Sequence, residues 1–192
     1  MRDRRPSDWI ADLTGRHELE QQVAGEFEAN PAVRLLETNT NRYDRLDYSV
    51  ATTSVTAAGV ELKAKWQPYR GWGHHRPDVD QADLFILDEL ALRRIVTDGT
   101  NSHLLIYDHP MRRWVIFGVA DLILAPKARI ARQLQGRRPT TKGKVLIDLR
   151  DGLQAGQDLP TVITRLGAAI NDTDRRWPQV EPWPAPQTGA AS

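Results

Sequence analysis

The 192-residue chain has no cysteine. That removes a disulfide framework, a thiolate zinc site and a cysteine nucleophile from consideration. No apolar run approaches the roughly 20 residues that span a bilayer. The opening MRDRRPSDW lacks the apolar stretch of a secretion signal, so the expected location is the cytoplasm. There is no G-x-S-x-G, no glycine-rich phosphate loop and no internal repeat. Strong charge of either sign is also missing. The net charge is +1, which argues neither for nor against a polyanionic partner. What remains is 40% hydrophobic and 27% charged, ordinary for a soluble globular protein with a real core.

Hydrophobic periodicity divides the chain. Leu19, Val23 and Phe27 recur at helical spacing within 8–29, and Asn30-Pro31 ends that run. A short strand is expected over 32–37. LDYSVATT (46–53) and VELKAKWQ (60–67) alternate apolar and polar residues and read as a hairpin joined by SVTAAG. PYRGWGHHRPDVD (68–80) reads as a long loop. Residues 81–97 fit a helix capped by Asp80, with a strand at LFILD as the rival reading. Strands follow at 103–107 and 114–119, the second extended over 120–125. A basic helix at 127–136, a basic loop at 137–144, a strand at 145–149 and a helix at 160–170 complete the order. A proline-rich tail, carrying Trp177 and Trp183, follows a domain over 1–175. The expected class is α/β, a mixed central sheet flanked by helices.

The hairpin carries the chemistry. On the second strand Glu61, Lys63 and Lys65 share the polar face, which we expect to be wet. Asp47 lies on the polar face of the first strand, so pairing brings Asp47 and Glu61 together. Two carboxylates on rigid backbone suit a hard divalent cation such as Mg²⁺ or Mn²⁺. The carbonyl of Leu62 adds a further oxygen, and the Lys63 amine stands where it can orient a water or offset charge on a phosphate. Lys65 is left as a phosphate contact or a solvated charge. Asp44 is the rival for Asp47.

Asp47, and fourteen positions later Glu61-Leu62-Lys63, resembles the PD-(D/E)xK, or restriction-endonuclease-like, nuclease superfamily. An acidic helix lies upstream of this hairpin, and a helix and strands lie downstream. Leu46 replaces the proline of the motif's name. The resemblance implies a restriction-endonuclease-like fold and metal-dependent hydrolysis of DNA. It assigns Asp47 and Glu61 to the metal and Lys63 to the attacking water. It also nominates a helix glutamate (Glu18, Glu20 or Glu26), Gln81 at the start of the next helix, and a homodimer. The alternative is a catalytically inactive module of the same fold that binds nucleic acid or a protein. The pattern does not separate DNA from RNA.

Candidate nucleic-acid contacts are Arg70 and Arg76, set among Tyr69 and Trp72, and a run from Arg129 to Lys144 without acidic residues. That run includes Arg137, Arg138 and Lys142, and its bland reading is a solvated basic loop. Adjacent His74 and His75 are poorly placed to converge on one ion.

Overall fold

In a computed structural model, residues 6–40, 44–69, 71–134 and 140–176 are described. Arg70, Arg137, Arg138, Trp177 and the proline-rich tail lie outside the described residues.

The chain order is α1 (Pro6–Ala29), β1 (Arg34–Thr38), β2 (Tyr48–Ala51), β3 (Ala58–Lys65), β4 (Leu84–Asp88), α2 (Glu89–Asp98), β5 (His103–Asp108), β6 (Arg113–Gly118), α3 (Val119–Leu124), β7 (Ala128–Leu134), β8 (Thr140–Asp148), β9 (Leu153–Gly156) and α4 (Leu159–Arg176). Six strands form one sheet in the order β1-β2-β3-β5-β6-β9, and β4-β8-β7 form a second. In the larger sheet β3 and β5 run parallel, and the other pairs are antiparallel. The mixed central sheet flanked by helices is thus as expected.

Both faces of the larger sheet are covered. On one, Leu19, Val23 and Phe27 of α1 and Val162, Ile163 and Leu166 of α4 pack against Val60 and Leu62. On the other, Leu92 and Ile95 of α2, Leu122 of α3 and Phe85 and Val145 of the smaller sheet pack against Leu104, Ile106 and Phe117. This double covering corrects one expectation. The polar face of β3 is not wet: Glu61 is 0% exposed and Lys65 1%.

Four other segments differ from expectation. Residues 81–97 are not one helix, because LFILD pairs with β8 and α2 begins only at Glu89. The apolar run there serves a strand and a helix in succession. Asp80 therefore caps no helix; its carboxylate accepts from the Ala82 N–H at 2.8 Å in a tight turn. Residues 119–124 turn into α3 instead of extending β6. The expected basic helix at 127–136 is β7, whose Ala128 and Ile130 pack on the small cluster around Val79, Leu84 and Leu146 while Arg129 is exposed. Its partner β8 takes in the end of the expected basic loop and the VLIDL strand.

Gly59 opens β3 opposite Ser49. A methyl group there would run into the Asp98 carboxylate and Leu46 Cδ1. Asp98 is exposed but would give up its hydrogen bond from Ser102 Oγ at 2.7 Å on moving, and Leu46 is buried and must repack. Gly59→Ala is expected to cost about 1–3 kcal/mol through overpacking, measured by chemical denaturation.

Candidate active site

The hairpin registers Tyr48 with Val60 and Ser49 with Gly59, which sets Asp47 beside the Glu61–Leu62 segment. Asp47 falls just before β2 rather than inside a longer strand. Its backbone is fixed from the other side, where the Asn39 N–H donates to the Asp47 carbonyl at 2.7 Å. The Leu62 N–H donates to Asp47 Oδ2 at 2.8 Å. The carboxylate is thus held by the strand that carries Glu61. Asp44, the rival, is exposed.

Lys63 gathers the predicted ligands around one atom. Its Nζ lies 2.5 Å from Glu61 Oε1, 3.0 Å from the Leu62 carbonyl oxygen and 3.7 Å from Asp47 Oδ2. These are the three groups that the sequence assigned to a metal, and they meet at an ammonium. Among the described residues Glu61 Oε2, which is buried, has no hydrogen-bond partner. An oxygen-only donor set with one unsatisfied, buried carboxylate oxygen fits a hard divalent cation that keeps most of its water. Among the described residues no group of three or more histidine, aspartate or glutamate side chains is placed to hold a metal ion.

Burial raises the Glu61 carboxyl above its ordinary value; the Lys63 charge opposes this and Asp47 adds to it. The Tyr48 hydroxyl, next in sequence to Asp47, is also pushed up, first by burial and then by the charges of Glu20 and Asp47. It donates to the Glu20 carbonyl at 2.8 Å, which ties α1 to the hairpin. Of the three helix glutamates, Glu20 is the one whose charge is felt here, and Arg16 Nε pairs with it at 2.6 Å. Glu18 is exposed, and Glu26 lies near Asn30 at the far end of α1.

One residue of the site was missed. Arg94 of α2 donates from Nη2 to Glu61 Oε1 at 2.9 Å and from Nη1 to the Arg45 carbonyl at 3.3 Å. The sequence reading of 81–97 assigned Arg94 no role. The available signal was its place between Ala91 and Ile95, both buried, on the flank of the inward stripe.

Other candidates are placed elsewhere. Arg76 is 7% exposed; it is bound by Asp78 at 2.8 Å and donates to the Pro126 carbonyl at 2.7 Å. It fastens the 71–80 loop to the stretch before β7 and to Leu146 of β8, so its guanidinium is engaged within the protein. Gln81 is in a turn, with its side chain beside Gly73 and its carbonyl accepting from Lys65 at 3.3 Å. Lys65 is neither solvated nor a phosphate contact, because its amine donates to the Gln81 and Ala82 carbonyls and stands 3.7 Å from Asp108. His74 and His75 are exposed, with ring centroids 3.7 Å apart and planes tilted by 43°. Lys142 is exposed on β8. Searches of protein-family models, of curated proteins and of solved structures find no match to this chain.

Proposed function

We propose that the chain is a metal-dependent deoxyribonuclease of restriction-endonuclease-like fold, with Asp47, Glu61 and Lys63 as its catalytic residues. The observation that carries this reading is the convergence of Glu61 Oε1, the Leu62 carbonyl and Asp47 Oδ2 on one cation beside an unsatisfied buried oxygen. Burying charge is costly, and the Lys65–Asp108 pair on the same face shows that it can be structural. What sets this group apart is that Lys63 is 26% exposed where Lys65 is 1%, so solvent reaches the amine on which its oxygens converge. The element order supports it: a helix precedes the hairpin, and α2 then β5 follow.

Asp47, Glu61 and the Leu62 carbonyl would hold Mg²⁺ or Mn²⁺. Such an ion supplies an acidified water and a positive charge for the phosphate oxygens. Asp47 is kept in place by the Leu62 N–H, so its oxygens need little reorganisation. Lys63, 26% exposed, can turn its amine from Glu61 toward a water or a phosphate oxygen at the mouth of the site. Hydrolysis adds the water oxygen to phosphorus as the bond to the leaving oxygen breaks, and the leaving oxygen takes up a proton.

The β7–β8 ribbon supports a polyanionic substrate. Arg129 and Lys142 are exposed on it, and Gly143 at its base lies against Glu89 at the start of α2, the helix that carries Arg94. Lys142→Ala is expected to weaken DNA binding about equally across sequences and to lower the slope of log affinity on log salt by about 1. Fluorescence anisotropy at several salt concentrations measures both.

The test of the activity is incubation with labelled duplex, single-stranded and branched DNA, with Mg²⁺, Mn²⁺ or EDTA. Cleavage that EDTA stops and that Lys63→Ala loses supports the reading. Salt-sensitive binding with no cleavage under any ion would replace it with a binding module of the same fold.

A further inference from the structure

Glu61 has two cationic partners on one oxygen. Lys63 Nζ and Arg94 Nη2 both bond Oε1, at 2.5 and 2.9 Å, while Oε2 has no hydrogen-bond partner among the described residues. Lys63 already has a task in the reaction proposed above. Arg94 comes from another element, is 29% exposed in its side chain, and is anchored on the Arg45 carbonyl just before Asp47.

The charges are informative together. Asp47 and Glu61 are negative and Lys63 and Arg94 positive. Arg16, whose charge also interacts with both carboxylates, is paired with Glu20, so these side chains balance one another. A divalent cation arriving alone adds two positive charges to this partly desolvated site. A phosphodiester removes one of them, and the doubly charged transition state of its hydrolysis removes both. The arrangement is therefore matched to metal and phosphate together and opposed to metal alone.

We propose that Arg94 is a positioning residue and counter-ion of Glu61 whose charge makes metal binding conditional on the nucleic acid. This rests on the metal-centre reading above. By linkage, nucleic acid then tightens metal binding by the same factor as metal tightens nucleic-acid binding. Arg94 thus selects against an ion held without substrate.

The test is Mn²⁺ titration of the whole protein without nucleic acid, followed by electron paramagnetic resonance. Arg94→Met and Arg94→Gln remove the charge, and the second keeps a hydrogen-bond donor for Glu61. Arg94→Lys keeps the charge. Both neutral variants are expected to bind Mn²⁺ about tenfold tighter than wild type, with Arg94→Lys close to wild type. A purely structural arginine would give the opposite sign, since its loss would loosen Glu61 and weaken the ion. Equal or weaker Mn²⁺ binding by the neutral variants, each folded by circular dichroism, overturns the proposal while leaving the metal centre standing. The second control is Asp47→Asn. If no protein of the series shows Mn²⁺ binding that this change abolishes, the metal centre itself fails and the proposal falls with it.

Discussion

Glu61→Gln is expected to lower DNA cleavage by at least about a thousandfold, the loss of several kcal/mol of metal-assisted stabilisation. The same substitution is not expected to destabilise the fold. Glu61 is fully buried, one of its oxygens lacks a hydrogen bond, and its neighbour Asp47 repels it. Its two cationic partners are 26% and 29% exposed in their side chains, so each can recover water when the carboxylate is gone. A neutral amide of the same size relieves more than it removes, as is usual at sites where function strains stability. The pH dependence carries a sign that separates this from an ordinary buried ion pair. The folded-state value of Glu61 lies above its ordinary 4.5. Between the two values the folded chain holds more proton than the unfolded one, so this group's contribution to stability is complete below 4.5 and is lost as pH rises through the folded value. Glu61→Gln should remove that downward slope. Thermal melts of both proteins across the acid range, beside single-turnover cleavage at neutral pH, check the two halves. A variant that loses stability in step with activity would make Glu61 a structural residue.

The opposite result is expected at Asp108. Asp108 is fully buried at the end of β5, where Arg113 Nε bonds Oδ2 at 3.0 Å and Lys65 Nζ stands 3.7 Å from Oδ1. Arg113 continues to Asp83 at 2.7 Å, and Asp83 lies 3.7 Å from Arg150, which pairs with Asp148. This chain of charges joins the end of the larger sheet to the smaller one. Lys65 is 1% exposed, so without Asp108 its charge is left facing the neutral Gln81 and Ala82 carbonyls instead of water. Asp108→Ala is therefore expected to cost about 3–5 kcal/mol, the penalty of stranding a buried charge. For a chain of this size that lowers the melting temperature by roughly 10 °C. Lys65→Met with Asp108→Ala should cost less than Asp108→Ala alone, because the double change removes the stranded charge too. Denaturant unfolding of the three variants gives the comparison, and a double-variant cost equal to or above the single one would refute it.

Lys63 and Lys65, two positions apart on one face of one strand, thus have opposite fates, and the sequence shows why only one was legible. The hairpin is local. Its period of two, its turn and the placing of Asp47 fourteen residues before Glu61 all lie within a short stretch, so the carboxylate pair and Lys63 could be read directly. The partners of Lys65 are Asp108 and two carbonyls before β4, and no periodicity announces them. The contacts of Arg76 at Pro126 and Leu146 were hidden for the same cause, since they lie far along the chain. The smaller sheet was hidden differently. LFILD and ELALRRIV form one apolar run, and a helix pattern laid over both looked continuous. In ARIARQL the alternation of Ala128 and Ile130 with arginines was present, but the basic composition outweighed it. Once that sheet covers the polar face of β3, Arg94 is turned toward Glu61, and the site gains a member that the hairpin alone could not predict.

The parallel pairing of β3 with β5 bears on how the site comes into being. Val60 lies opposite His103 and Lys65 opposite Asp108, with β4 and α2 in the crossover between them. A parallel pair cannot be made by a tight turn, so the chain must close a long loop before any of these bonds form, and that step is entropically slow. The β2–β3 hairpin can form early by itself, but then Glu61 stands in water and Arg94 is still on an undocked segment. The buried carboxylate and its counter-ion are assembled only by the closure that completes the sheet. A nascent or partly unfolded chain therefore carries the motif in its sequence without carrying the site.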